Sequence, residues 1–143
     1  MMRLVDVNVL VYAHRPDMAE HQRYRAWLFA MMDSPEPFAV SELALSGFVR
    51  VVTNPRVYKD PTPLPMALAA ASAVRDRSNC VPLVPGPRNW VIFTELCEKS
   101  GARGNTVPDA YHAALAIEHG CEFITADKGF SRFPGLRWRH PLN

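Results

Sequence analysis

The chain has 143 residues, a length that fits one domain spanning residues 1–143, and 21% of them are charged, as in ordinary globular proteins. Its net charge of +2 is too small to identify a nucleic-acid partner, although arginine supplies all but three of the 16 basic residues. No apolar run is long enough to span a membrane, and Asp6 interrupts the amino-terminal apolar residues too early for a signal peptide. We therefore expect a cytoplasmic protein with no membrane partner.

The first half of the chain alternates short buried strands with amphipathic helices. Apolar residues at helical spacing and a natural N-cap at Ser41 mark the helices, while Asn54-Pro55 ends the last of them. In chain order the predicted elements are a strand at 3–5, a short helix or turn at 9–16, a helix at 19–32, a strand at 38–40 and a helix at 41–53.

The second half continues the same alternation. The predicted elements are a helix at 62–77, a strand at 80–84, a helix at 88–100, a helix at 107–119, a strand at 123–125 and a fifth strand at 136–139. Pro82 cannot donate a ladder hydrogen bond, so its strand suits an edge of the sheet. Strands separated by helices predict an α/β fold, with a parallel sheet of four to five short strands flanked by helices.

Four acidic residues follow predicted strands or begin predicted helices: Asp6, Glu42, Asp109 and Asp127. In an open α/β sheet the carboxyl ends of the strands converge on one crevice, where ligands bind. Several carboxylates at that edge would repel one another unless a hard cation joined them. The pattern therefore predicts a Mg²⁺ or Mn²⁺ site.

Each of these positions also has a purely structural explanation. Asp6 and Asn8 fit an Asx turn, but an unpaired carboxylate directly after Leu4-Val5 would be costly so close to the core. Asn8 could instead hydrogen-bond a metal-bound water or a phosphate oxygen. Glu42 is favoured at the first turn of a helix by the helix dipole.

The two acids in the second half have similar alternatives. Thr106 and Asp109 fit a capping box, with Thr106 as N-cap, although an acid on the first helical turn also points to the crevice. Asp127 precedes Lys128-Gly129, which fits a reverse turn. Thr125 could position Asp127 or a water molecule.

Carboxylate-bound hard cations serve mainly phosphoryl chemistry, in which they lower the pKa of a bound water and stabilise the attacking and leaving oxygens. The sequence offers no Ser-His-Asp arrangement, no glycine-rich phosphate loop and no CxxC pair for zinc. Hydrolysis of a phosphodiester by metal-activated water is the chemistry that remains.

Three segments, in order along the chain, carry a resemblance to a known family. They are Leu4-Val5-Asp6-Val7-Asn8-Val9-Leu10-Val11-Tyr12, then Val107-Pro108-Asp109-Ala110 with Ala113-Ala114-Leu115-Ala116, and Thr125-Ala126-Asp127 with Phe130. Together with Glu42 between the first two, they resemble the PIN-domain nucleases. More narrowly, the chain is similar to the VapC-type toxins of bacterial toxin–antitoxin pairs.

The resemblance implies a Rossmann-like sheet and a Mg²⁺- or Mn²⁺-dependent endoribonuclease that cuts transfer or ribosomal RNA and stops growth by blocking translation. It also implies a cognate VapB-like antitoxin that blocks the site, and a homodimer. By position it implies a catalytic, metal-binding acidic quartet with two polar helpers: Asp6, Glu42, Asp109 and Asp127, with Asn8 and Thr125.

Two other functions stay open at this stage. An aspartyl-nucleophile Mg²⁺ phosphatase also begins with Asp-x-Asp after a strand, but Asn8 stands where that chemistry needs an acid to protonate the leaving group. A non-cleaving module could bind RNA or a partner through the same fold without hydrolysing anything.

Overall fold

A computed structural model describes all residues from Met1 to Asn143 and contains five strands, six α-helices and one 3-10 helix. The strands are β1 (Arg3–Val5), β2 (Phe38–Ser41), β3 (Cys80–Leu83), β4 (Glu122–Ile124) and β5 (Trp138–Arg139). The α-helices are α1 (Val7–His14), α2 (His21–Asp33), α3 (Glu42–Val52), α4 (Leu64–Arg75), α5 (Asn89–Ser100) and α6 (Thr106–Glu118). The 3-10 helix spans Lys128–Arg132.

The five strands form one sheet in the order β3-β2-β1-β4-β5, and every neighbouring pair is parallel. From β1 the chain builds outward through β2 to β3, and then returns to the other side of β1 with β4 and β5. This change of direction makes the gap between β1 and β4 the topological switch point of the sheet. The predicted parallel α/β sheet is confirmed, and β3, which contains Pro82, is an edge strand as predicted.

Both faces of the sheet are buried, because alternate residues of each strand enter two different hydrophobic clusters. Val5 and Ile124 belong to the cluster that includes the apolar faces of α1 to α4. Leu4 and Phe123 belong to the cluster that contains α5 and α6. Runs of consecutive apolar residues in the strands are typical of a sheet covered by helices on both sides.

The start of α6 differs from the sequence prediction. Thr106 was expected to cap the helix, but it is the first helical residue, and Asn105 precedes it in a helical conformation without a side-chain cap. The Thr106 hydroxyl instead accepts a hydrogen bond from Arg103 N at 2.8 Å and contacts Arg103 O at 2.9 Å. The capping-box prediction is wrong, because the Thr106 side chain closes the preceding turn.

No helix is both long and apolar enough to cross a membrane.

Candidate active site

Asp6 lies at the carboxyl end of β1, where it also caps α1. Its backbone is extended, its amide donates to Ile124 O of β4, and its Oδ1 accepts a 2.7 Å hydrogen bond from Val7 N. The residue is only 5% exposed. Since the strand continues directly into a helix, the carboxylate is held rigidly at the switch point between β1 and β4.

Thr125 and Asn8 fix the other carboxylate oxygen. Thr125, which is fully buried, donates its hydroxyl to Asp6 Oδ2 at 2.7 Å and accepts from Asp127 N at 3.1 Å. The Asn8 amide donates to Asp6 Oδ2 and to Thr125 Oγ1, both at 3.1 Å, while its oxygen accepts from Ala126 N. Protein groups therefore occupy both ends of the Asn8 amide, and the network joins the ends of β1 and β4.

Asp127 follows β4 and lies on the same side of the sheet. Its side chain is exposed and accepts a 2.8 Å hydrogen bond from Gly129 N, so it caps the 3-10 helix. This contact is the turn geometry that the sequence offered as an alternative. The hydrogen bond from Gly129 N holds Oδ1 of Asp127, whereas Oδ2 has no protein partner.

Asp109 comes from α6, on the first turn of the helix. It is partly buried, and no hydrogen bond fixes its carboxylate, in contrast to Asp6. Asp109 lines the same cavity as Asp6 and Asp127, a space of about 510 Å³ at the carboxyl edge of the sheet. The structure thus brings three of the four predicted acids to one cavity.

Burial and mutual repulsion shape the protonation of this cluster. Burial raises the pKa of Asp6 to about 6, against the hydrogen bonds from Thr125 and Val7, and the charge of Asp127 raises it further. Burial also raises the pKa of Asp109, to which the charges of Asp6 and Asp127 add. Such destabilised carboxylates are what a bound cation would relieve.

Glu42 does not join the other three acids. It begins α3 directly after β2, but its carboxylate accepts a 3.1 Å hydrogen bond from Arg75 of α4 and borders a different cavity, next to Leu43 and Tyr111. Both partners of this ion pair are exposed. Three of the four acids therefore converge, whereas Glu42 lies at the end of β2, the strand next to β1.

The donor set at the cavity fits a hard cation. Carboxylate oxygens are the ligands that Mg²⁺ and Mn²⁺ prefer, and neither cysteine nor a pair of histidines competes for the site. No three acidic, histidine or cysteine side chains are already close enough to form a finished metal cage.

Three further cavity residues were not anticipated from the sequence: Tyr12, Arg50 and His112. His112 is one turn after Asp109 and stacks on Phe123, with ring centroids 6.4 Å apart. Burial lowers the pKa of His112, and the charge of Asp109 opposes this shift. The helical spacing of His112 from Asp109 was a usable signal, whereas Tyr12 and Arg50 lie on faces that the local pattern left unassigned.

Comparison with known proteins decides the family. The model of the PIN domain matches residues 3–136. The chain belongs to the PIN-domain family. Ribonuclease VapC43 of Mycobacterium tuberculosis is 45% identical over 142 residues, which cover 99% of this chain and 97% of that protein. Ribonuclease VapC25 of the same species is 38% identical over 140 residues, covering 98% of this chain and 99% of its relative.

Within the PIN-domain family, this full-length similarity places the chain with the VapC ribonucleases. A solved structure of VapBC2 from Rickettsia felis, bound to a DNA fragment from its promoter, matches with a TM-score of 0.70. The match covers 98% of both chains at 18% sequence identity. At that identity the match shows a shared PIN fold, including its parallel sheet.

Proposed function

We propose that the chain is a metal-dependent endoribonuclease that acts as the toxin of a VapBC-type toxin–antitoxin pair. The observation that carries the proposal is the cavity at the switch point, where Asp6, Asp109 and Asp127 meet. The full-length similarity to proteins named VapC ribonucleases supports the choice of RNA. A phosphatase is disfavoured because the Asn8 amide is occupied by protein partners and cannot act as an acid.

In this proposal Asp6, Asp109 and Asp127 hold Mg²⁺ or Mn²⁺. Bound there, the ion would supply an activated water at neutral pH and neutralise charge that develops on the phosphodiester. Asp6 presents its carboxylate in one orientation, because Val7 N, Asn8 and Thr125 all donate to it. Asn8 and Thr125 are therefore positioning residues. They donate to the Asp6 carboxylate and accept from the backbone amides of Ala126 and Asp127, so they hold the two acids in fixed relative positions.

Glu42 completes the site in our proposal by leaving Arg75. An exposed ion pair stabilises a protein by only about 0–1 kcal/mol, so the cost of breaking it is small. Glu42 follows β2, the strand next to β1, and its helix begins at the same edge of the sheet as the cavity. A cation bound at the three aspartates would attract the Glu42 carboxylate more strongly than exposed Arg75 does.

Cleavage of transfer or ribosomal RNA would stop translation and hence growth, which is the toxic effect that we propose. The main alternative is a PIN domain that binds RNA or its partner without cutting. Retained growth arrest by an Asp6→Asn variant would favour that alternative, because the variant lacks a full set of carboxylates.

We propose that the cognate VapB-like antitoxin binds an apolar groove between α1, α2, α3 and α4. The groove has a volume of about 430 Å³ and a mostly apolar lining that includes Leu28, Phe29 and Phe48. Its basic lining residues Arg25 and Arg77 suit an amphipathic helix with acidic residues beside its apolar stripe.

A homodimer is also proposed, formed through the exposed apolar residues of α5. Trp90 is 66% exposed and Val91 is 57% exposed, on neighbouring positions of that helix. Large exposed aromatic residues of this kind are typical anchors of protein interfaces. Light scattering should show a dimer for the purified chain and a monomer for Trp90→Ser, and a monomeric wild type would contradict this proposal.

Total cellular RNA incubated with antitoxin-free protein tests the nuclease proposal. We expect discrete fragments with Mg²⁺ or Mn²⁺, none with EDTA, and a loss of at least about a hundredfold in rate for Asp6→Ala and Asp109→Ala. Asp76→Asn is the matched control, because Asp76 is exposed and has no ion-pair partner. Intact RNA with wild-type protein in both metals would refute the proposal, and equal cleavage by all variants would reveal a contaminating ribonuclease.

A further inference from the structure

The cavity that contains the three aspartates also contains one arginine, Arg50, which extends from the last turn of α3. Resting on the proposed ribonuclease function, we propose that Arg50 binds a backbone phosphate of the RNA strand next to the scissile phosphodiester. Arg50 would thereby position the strand over the acids. Arg50 would thus be a substrate-binding residue in addition to the acidic residues of the site.

Gly47 explains why Arg50 reaches this cavity. A Cβ atom at Gly47 would lie 3.2 Å from a methyl group of Val7, so α3 approaches the start of α1 closely at this point. Residues three apart on a helix share a face. Arg50 is three residues after Gly47 and is therefore directed toward the start of α1, where Asp6 and Asn8 lie.

Arg50 has no carboxylate within 4.0 Å, and it is the only arginine that lines the cavity of the three aspartates. Five arginines form ion pairs elsewhere: Arg15, Arg23, Arg75, Arg77 and Arg139. Two more cover the rings of Trp27 and Phe29. Arg50 is exposed and makes no side-chain hydrogen bond, so its five donors remain available to a ligand.

Arg50 and the three aspartates line the same cavity from different elements of the fold. Arg50 stands on the wall built by α3, whereas the aspartates come from the ends of β1 and β4 and from α6. In the proposed complex one phosphate lies at the acids and the next at the guanidinium, which matches phosphate oxygens bidentately.

The remaining lining of the cavity favours a nucleotide over a free phosphate. Tyr12 and Val57 line the same cavity as Arg50, and Val57 is 55% exposed. Unpaired bases stack on aromatic side chains, and sequence-specific RNA recognition mostly uses such unstacked bases. We therefore expect the strand at Arg50 to be single-stranded RNA.

The salt dependence of RNA binding tests the contact at Arg50. Each phosphate contact with a single strand contributes about 0.7 to the slope of log K against log salt concentration. The probe is a fluorescent 12-nucleotide single-stranded RNA pool of random sequence, measured by anisotropy with Ca²⁺ in place of Mg²⁺ and checked on gels to be intact. We expect Arg50→Gln to lower the slope by about 0.7 and the affinity about tenfold at low salt.

Two other variants separate a phosphate contact from a general loss of charge. Arg137→Gln removes the same charge from an exposed, unpaired residue before β5, at the opposite edge of the sheet, and should leave the slope unchanged. Arg50→Lys keeps the charge and should keep the slope. Its affinity for the RNA should fall several-fold, because lysine lacks the planar guanidinium that binds phosphate bidentately. Melting temperatures within about 3 °C of wild type would show that all three variants fold.

Equal slopes for Arg50→Gln and Arg137→Gln would overturn the proposal, as would a wild-type protein that does not bind the pool. Cleavage with Mg²⁺ is measured in parallel on the same proteins. A lowered slope for Arg50→Gln beside an uncut RNA in wild type would support the phosphate contact and refute the nuclease activity, so the two failures are distinguishable.

Discussion

Asp6 is a carboxylate that the fold buries without a cationic side chain beside it. Its pKa of about 6 in the folded protein is above the 3.8 of the unfolded chain, so the folded state binds more protons between these values. Stability that depends on this group is therefore full below about pH 4 and is lost as the pH rises to about 6. The shift corresponds to about 3 kcal/mol.

We predict that Asp6→Asn removes this loss in the metal-free protein. Relative to wild type, the unfolding free energy of the variant should increase by about 3 kcal/mol between pH 4 and pH 7, because only wild type must ionise a buried group. Urea denaturation in EDTA measures the difference, with Asp76→Asn as an exposed control that should track wild type. Parallel pH profiles for Asp6→Asn and wild type would contradict the prediction.

The sequence predicted the meeting of Asp6, Asp109 and Asp127 because parallel strands direct their carboxyl ends to one edge. It did not predict the position of the Glu42 side chain. Glu42 pairs with Arg75, which is 33 residues further along the chain, and local patterns carry no information on such a long-range surface contact. Arg50 was missed for a similar reason, although Gly47 inside an apolar helix was a sign of close packing.

At the scale of elements, Glu118 links α6 to the connection between β3 and α5. Its buried carboxylate accepts hydrogen bonds from Gly86 N at 2.8 Å and from Arg88 N at 3.0 Å. A Cβ atom at Gly86 would lie 2.5 Å from Glu118 Oε2. A side chain at position 86 would therefore displace the Glu118 carboxylate from the two backbone amides that it accepts from.

We predict that Gly86→Ala destabilises the protein by about 2 kcal/mol, because the added methyl group displaces the Glu118 carboxylate. A double-mutant cycle with Glu118→Ala checks the cause by thermal or urea denaturation. The alanine at position 86 should cost little once the Glu118 side chain is absent, which gives a coupling energy of at least about 1 kcal/mol. Additive effects of the two substitutions would contradict this explanation.

Helical periodicity and turn residues were enough to locate the five strands and the α-helices, although the first helix was predicted only as a short helix or turn. The 3-10 helix at Lys128–Arg132 was not predicted, because the sequence there offered only a reverse turn. The boundaries were less predictable. The helix expected from Ala19 begins at His21, after Glu20 adopts a left-handed conformation with φ of 58°. The cap expected at Thr106 also failed, because Thr106 bonds to Arg103 instead. These helix boundaries depend on which local hydrogen bonds form, and the residue types at both boundaries allow more than one pattern of hydrogen bonds.

At the scale of the whole molecule, the groove between α1, α2, α3 and α4 lies on the face of the sheet opposite α5 and α6. We predict that Arg25→Glu weakens binding of a co-expressed VapB-like antitoxin at least about tenfold, because the reversed charge repels an acidic helix. RNA cleavage should be unaffected. Calorimetry measures the affinity, with Arg23→Glu as the control, since Arg23 is on the same helix but outside the groove. Equal loss in both variants would contradict binding in this groove.

Manganese-soaked crystals give the most direct test of the central claim, that the acids at the switch point hold a catalytic cation. We predict an anomalous difference peak within about 2.5 Å of carboxylate oxygens of Asp6 and Asp109. The Glu42 side chain should have turned from Arg75 toward it, and the peak should be absent in Asp109→Asn crystals. No peak at these residues in millimolar Mn²⁺, or an equal peak in wild-type and Asp109→Asn crystals, would contradict the claim.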